Sequence, residues 1–381
     1  MKLAIFASDT LARLFDIVIE NIGQPISTIK TTLPLTSPQK EEQQVSDHIA
    51  ALRLAVDKIT QHDMADEVVA IGYRLVHGGT AYNAPTPVDA IREADWAYLS
   101  QLDPQHTPQI HQITTWLKEE YPSAMHIACF DTAFFHELPK TAAILPIPKK
   151  YYTAGIRRYG FHGLSYTSLL ETFRKEAGEV AANGRVILAH LGSGASLCAV
   201  KSGQAIDTTM SFTPTSGIPM STRSGDLDPL LFSALCHQHD ISLDQFNHMV
   251  SFESGLKGIS GITGDMHELL TLENENDDAA IAIELFVRGV KKSIGALAAT
   301  LGGVDSLIFS GGIGEQSSIL RERICQGLAY MGIEINKEAN ARHAFLISSE
   351  ASQAGVHVIH TDEARMVAKL TLSSLPNSEQ Y

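Results

Sequence analysis

Residues 207–229 read DTTMSFTPTSGIPMSTRSGDLDP, with a single arginine, Arg223, set among hydroxyl, small and acidic residues. The stretch has neither helical nor strand periodicity. A loop this long costs too much chain entropy to be idle inside a compact domain. A planar guanidinium surrounded by hydroxyl donors, with carboxylates just downstream, suits phosphate chemistry; a loop that merely ties two elements together is the structural alternative. Three further passages have a similar character. Arg74-Leu75-Val76-His77-Gly78-Gly79 follows an apolar strand over 67–72 with a cation and two glycines, and Phe130-Asp131-Thr132-Ala133 ends a strand over 125–130 with a carboxylate. Arg158-Tyr159-Gly160-Phe161-His162-Gly163 places His162 in a glycine-flanked loop. One such histidine has an ordinary structural reading, but several polar groups at the ends of apolar strands form the pattern of an α/β site.

Two glycine-rich turns add to this. In His190-Leu191-Gly192-Ser193-Gly194-Ala195-Ser196 the glycines let backbone N–H groups approach phosphate oxygens, although a plain hairpin would look the same. A strand over 304–310 leads into Gly311-Gly312-Ile313-Gly314-Glu315 and then a helix. That order is the geometry of nucleotide binding at a helix N-terminus. Without a P-loop lysine, it would take the nucleoside or α-phosphate end.

The elements that must position these groups come in two similar sets. A strand over 2–7, a turn at Ser8-Asp9-Thr10, a strand over 11–19 and a third extended piece after 23–28 open the chain. The order returns at 185–190, 196–200 and after 203–208, which implies a duplicated α/β domain. Helices are expected over 41–61, 107–120, 165–177, 228–239, 277–301 and 317–331. Ile283, Phe286, Val290, Ile294 and Leu297 recur at helical spacing and read as core. A Pro- and Lys-rich passage, 139–150, reads as a surface connection between the halves.

A chain of 381 residues exceeds one ordinary core, so two domains are expected. A net charge of −14 argues against a nucleic-acid surface and leaves any anionic substrate to local arginines. The four cysteines form no CxxC pair, which fits a reducing compartment. Cys236-His237-Gln238-His239 has metal-ligand residue types without a partner pair at zinc spacing. No signal peptide or membrane span is read, so the cytoplasm is the expected location.

Taken together, RLVHGG, FDTAFF, RRYGFHG, HLGSGAS, the TRSGDLDP loop, SGLKGISG at 254–261, FSGGIGE and TDE at 361–363 resemble the acetate and propionate kinase family, within the superfamily of sugar kinases, Hsp70 and actin. The resemblance implies two actin-like (ribonuclease H-like) α/β domains with the active site in a cleft between them. The expected boundaries are 1–132 plus 366–381 for one domain and 133–365 for the other. It implies reversible phosphorylation of a short-chain carboxylate by ATP, giving an acyl phosphate and ADP. Arg74 and Arg223 would hold the carboxylate and the transferring phosphoryl group, His162 would help stabilise that group, and Asp131 would orient the site. Val76, His106, Phe161 and Pro214 would line the acyl pocket. His190, Gly192, Gly194, Asp265, Gly311, Gly312 and Gly314 would contact the nucleotide. Glu363 would serve Mg²⁺ (or Mn²⁺). A homodimer is implied as well.

Four positions depart from the family pattern. The first turn lacks the family's Asn, Gly and Lys; Asp9 could reach the metal or simply make the turn. Gln105 stands where an apolar pocket residue precedes His106, His267 replaces an arginine near the adenosine, and Gln316 replaces an asparagine. A kinase for a more polar acid, or a nucleotide-binding regulator without full turnover, therefore stays open on the sequence.

Overall fold

The computed structural model describes residues 1–375. The chain divides into two compact units, Met1–Ala133 with the chain from Asp362, and Phe134–Thr361.

The first unit opens with an antiparallel meander: β1 (Lys2–Phe6), β2 (Arg13–Glu20), β3 (Ser27–Thr32) and β4 (Gln39–Gln43), in that order. Phe15, Ile17 and Ile19 alternate inward on β2, as a half-buried strand requires. They pack with Ala51, Ala55 and Ile59 of the helix His48–Gln61. A second sheet joins β5 (Ala70–Leu75), β6 (Thr86–Pro87) and β7 (Met125–Phe130), with β7 central and β5 parallel to it. The helix Glu363–Ser373 lies on β5 so closely that a Cβ at Gly72 would fall 2.2 Å from Thr371 Oγ1.

The second unit is built on one five-stranded sheet of order β10-β9-β8-β11-β12. Its strands are β8 (Arg185–Leu191), β9 (Ala195–Lys201), β10 (Gln204–Thr208), β11 (Ser306–Ser310) and β12 (Gly355–Val358). β8, β9 and β10 repeat the antiparallel meander, and β11 runs parallel to β8 and β12. The helix Asp277–Leu301 begins on an Asn276 cap, stops at Gly302 in the left-handed region and buries Ile283, Phe286, Val290, Ile294 and Leu297. No helix among the described residues is long and apolar enough to cross a membrane.

Four expectations need correction. Residues 39–43 form the edge strand β4, and the helix starts only at His48, where the Asp47 side chain accepts from Ala50 N–H. Every residue of β4 is exposed, so its pairing with β3 leaves no hydrophobic period to read. The strand expected over 67–72 begins at Ala70 and runs to Leu75, so Arg74 is part of it. The helix expected over 317–331 stops at Cys325, because Gly327 takes a φ of +83°. Segment 139–150 is mostly at the surface as expected, but it lies inside the second unit and not between the halves: it holds the helix Lys140–Ala143 and the start of Lys149–Thr153, with Ala143 buried in the core.

One core histidine makes this unit acid-sensitive. Burial beside Phe173 and Phe345 lowers the His357 pKa from an ordinary 6.5 to about 4. The unfolded chain takes up that proton first. Stability from His357 is therefore complete above pH 6.5 and is lost as the pH falls towards 4, by on the order of 3 kcal/mol. Thermal melting across that window should show a shallower loss for His357→Leu than for the unaltered protein. Equal slopes would contradict the assignment.

Candidate active site

The first unit gathers Arg74, Asp131 and Glu363. Arg74 pairs across the sheet with Cys129, so the chain leaving β7 brings Asp131 to the same strand ends. Asp131 is 1% exposed, and its Oδ2 accepts from Arg74 Nη2 at 2.7 Å and Nε at 3.1 Å. Glu363 Oε2 lies 3.1 Å from Arg74 Nη1. Partial desolvation would lower the Arg74 pKa, but Asp131 and Glu363 outweigh it and hold the group firmly cationic. The arginine side chain is still 41% exposed, so it presents surface to an anion. Thr132 Oγ1 accepts from Gly78 N–H at 2.9 Å and ties the two motifs together. Val76 is half-buried just beyond β5. His106 starts the helix Thr107–Glu120 and has Nδ1 at 2.8 Å from Oδ1 of buried Asp103, and Gln105 beside it is exposed. Asp9 lies in the exposed β1–β2 turn, accepting from Thr10 Oγ1 at 3.2 Å.

The second unit gathers His162, His190, Arg223 and Gly312 around the β8–β9 turn. A Cβ added at Gly194 would lie 3.2 Å from His162 Nε2 and 3.3 Å from Arg223 Nη1. Both nitrogens therefore face one point, and only glycine leaves that point open. A Cβ at Gly192 would likewise meet His190 Nε2 and Gly312 N, each at 3.8 Å. The rings of His162 and His190 stack with centroids 4.4 Å apart. His162 is 9% exposed and holds a left-handed φ of +62° at the start of the helix Gly163–Ala177. A non-glycine residue held there costs on the order of 1 kcal/mol, strain typical of functional sites.

The long loop leaves β10 at Thr208 and stays irregular until the helix Leu231–His239, yet it is tightly tied. Gly225 N–H donates to Thr215 O and Met220 N–H to Arg223 O, while Ser254, Leu256 and Lys257 donate back to Thr222, Met220 and Ser221. Arg223 Nη1 also donates to Pro214 O at 3.3 Å. Phe161 is almost fully buried. Gly264 packs against this loop, where a Cβ would fall 2.6 Å from Ser221 O, and next to it Asp265 caps the helix Met266–Leu272 by accepting from His267 and Glu268 N–H.

The short helix Gly311–Gln316 follows β11 directly. Gly311 has a φ of +76° and sits against Leu191 O, where a Cβ would come within 2.6 Å. Its N–H is engaged by Glu315 Oε1 at 2.9 Å, so Gly312 supplies the backbone N–H facing the β8–β9 turn. Glu315 also accepts from Thr361 N–H and Ser310 Oγ, and pairs with His360 Nδ1 at 2.6 Å. Desolvation alone would raise the Glu315 pKa, but His360 and these donors hold it below the usual carboxylate range. Arg321, fully buried, donates to the carbonyls of Gly314 and Glu315 and fixes the end of the helix before Gln316.

Residues 1–369 match the model of the acetokinase family. The chain belongs to the acetokinase family. It is 42% identical to the acetate kinase of Methylocella silvestris over 309 residues, 81% of this chain and 76% of that protein. It is 37% identical to the propionate kinase of Citrobacter koseri, covering 92% and 88%. Its fold superposes on a propionate kinase from Francisella tularensis with a TM-score of 0.92 at 30% identity, covering 98% and 96%. The chain is mixed α/β, with Arg74 and Asp131 at strand ends and Gly192 and Gly194 on the β8–β9 turn.

Several supporting residues have partners that their local sequence does not reveal. Arg158, at the head of the His162 passage, donates to Thr208 O and Ala142 O and anchors the start of the long loop. Glu315 was legible as the acid of GGIGE, but its partners Thr361 and His360 lie about 45 positions away. Tyr166 OH meets Ser196 Oγ at 2.5 Å, and Ser196 Oγ lies 2.9 Å from His162 Nδ1. The cysteine–histidine run 236–239 gains no companions: among the described residues no group of three or more His, Cys, Asp or Glu could hold a metal.

Proposed function

We propose that this chain transfers the γ-phosphoryl group of ATP to a short-chain carboxylate, reversibly and in line. A carboxylate oxygen forms the new bond to phosphorus as the bond to the β–γ bridging oxygen breaks, and ADP leaves with that electron pair. The acceptor is already ionised at neutral pH, so no strong base is required. The barrier is the approach of two anions, and fixed cations and N–H donors lower it. The observation that carries the reading is the shared focus of Arg223 Nη1 and His162 Nε2 over Gly194, in a chain of the acetokinase family. Arg74, fixed by two carboxylates and partly exposed, is the second cation of the proposed reaction.

Mg²⁺ or Mn²⁺ belongs to this reading. Glu363, with Asp9 as a second proposed ligand, would hold it together with nucleotide phosphates. Both are carboxylates, the oxygen donors that a hard divalent ion takes in ones or twos beside substrate phosphates. Bound there, the ion supplies charge neutralisation on the phosphates. A cytoplasmic homodimer completes the reading. The four free cysteines suit a reducing compartment, and three successive helical segments between Leu231 and Glu253 bury no residue while Leu230, Leu243 and Phe252 stand exposed beside or within them.

Trapping acyl phosphate with hydroxylamine from Mg-ATP and a panel of acids tests the function. Acetate or propionate should give product stoichiometric with ADP; ATP hydrolysis without acyl phosphate would refute it. Gln105 should set the preference within the panel. Gln105→Leu should raise kcat/KM for propionate relative to acetate by roughly tenfold, the worth of about one methylene in an apolar pocket. An unchanged ratio would remove Gln105 from the acyl pocket.

A further inference from the structure

We propose that Tyr166 and Ser196 act as positioning residues that fix the tautomer of His162, so that Nδ1 is the acceptor and Nε2 carries the hydrogen aimed at the point above Gly194. The hydrogens available in a closed space decide the tautomer. Tyr166 and Ser196 are both fully buried. The phenolic oxygen of Tyr166 has one hydrogen-bond partner among the described residues, Ser196 Oγ at 2.5 Å. Ser196 Oγ has two, that phenol and His162 Nδ1 at 2.9 Å. A buried O–H must donate or lose the free energy of its missing bond. Tyr166 can donate only to Ser196. The Ser196 hydrogen then has one remaining acceptor, His162 Nδ1. The direction of both bonds follows, and with it the tautomer.

Chemistry favours the same direction. Burial pushes the Tyr166 phenol well above its ordinary 10, so it remains an O–H donor throughout the neutral range. The alternative has His162 Nδ1–H donating to Ser196, which would leave the serine hydrogen pointing at a phenol whose own hydrogen has no acceptor. That arrangement loses one buried hydrogen bond.

The consequence lies at Nε2. With Nδ1 occupied as an acceptor, the hydrogen sits on Nε2, the atom that shares the Gly194 point with Arg223 Nη1. Two N–H donors then face one position. The opposite tautomer would turn a lone pair towards an incoming phosphoryl oxygen and change an attraction into a repulsion. The left-handed backbone at His162 and its ring stack on His190 hold the imidazole in the plane this requires. His190 has its own partner, Ser165 Oγ at 2.8 Å from Nδ1, so the two rings are oriented by separate hydroxyls.

The inference rests on the kinase reading only for its effect on turnover; the tautomer can be read without any reaction. ¹⁵N NMR of the uniformly labelled full-length protein at pH 7.5, with the His162 signals assigned by their loss in His162→Gln, reports the protonation of each ring nitrogen. The expected result is an unprotonated Nδ1 and a protonated Nε2, with Tyr166→Phe converting the ring to a mixture of tautomers. A protonated Nδ1 in the unaltered protein would overturn the proposal, whether or not the enzyme makes acyl phosphate. In the acyl-phosphate assay Tyr166→Phe and Ser196→Ala should each lower kcat by roughly tenfold or more with KM for the carboxylate within about twofold, as loss of an orienting partner does. A Tyr166→Phe variant with the tautomer of the unaltered protein would equally overturn it. Should Ser196→Ala fail to fold, the unaltered protein and Tyr166→Phe decide the matter.

Discussion

Replacing Arg223 by alanine should lower kcat by a factor of about a thousand, with the thermal transition shifted by no more than a few degrees. The rate effect follows from removing a cationic donor aimed at the point over Gly194, where the proposed reaction would place charge on the transferring group. Loss of one such preorganised donor costs about 3 kcal/mol or more of transition-state binding. The structural effect is small because the loop is held by its backbone. Met220 N–H donates to Arg223 O, Ser224 N–H to Val250 O and Leu256 N–H to Met220 O, and alanine keeps all three. Steady-state kinetics and circular dichroism on the purified variant check both halves. Activity within tenfold of the unaltered enzyme would remove Arg223 from the chemistry.

Arg74→Ala should abolish turnover to a similar extent and also destabilise the protein by about 2 kcal/mol. The difference from Arg223 lies in the partners. Asp131 is buried and is gripped by two nitrogens of Arg74, so alanine strands a carboxylate that water cannot fully resolvate. The loss is smaller than for a fully buried pair because the arginine itself is partly exposed. A second substitution separates the two roles. Arg74→Ala with Asp131→Asn should recover most of the lost stability, since the stranded charge is gone, and none of the lost activity. Arg74→Lys should keep some stability but little turnover, because an ammonium cannot engage Asp131 through two nitrogens and Glu363 through a third. Melting temperatures and kcat for the three variants check this. Full stability in Arg74→Ala alone would show that the Asp131 pairing contributes little to the fold.

The parts of the fold that were legible in the sequence are those with a local physical signal. The helices Thr107–Glu120 and Asp277–Leu301 follow from apolar spacing and terminal residues, and the five predicted core positions of the latter are all buried. β4 was not legible because its exposed polar residues carry no burial pattern and only pairing with β3 makes it a strand. The site divides in the same way. Arg74, Asp131, His162 and Arg223 stand out as polar residues beside glycines at strand ends and in a costly loop. The groups that aim them do not. Glu315, Arg158, Tyr166 and Ser196 act through partners 30 to 50 positions distant, and nothing local marks a serine in β9 as the acceptor of a buried phenol. Gly311 shows the limit from the other side. Its glycine is required by its φ and by the proximity of Leu191 O, while its N–H serves Glu315.

Arg74 and Arg223 are proposed to stabilise one and the same phosphoryl transfer. A kinetic double-variant cycle tests it most directly: kcat/KM for acyl-phosphate formation in Arg74→Ala, Arg223→Ala and the pair. Groups that act as a unit on one transition state show strong non-additivity. The double variant should therefore fall within about tenfold of the weaker single variant. A double variant whose loss equals the product of the two single losses would mean that the arginines act independently, and would contradict the account.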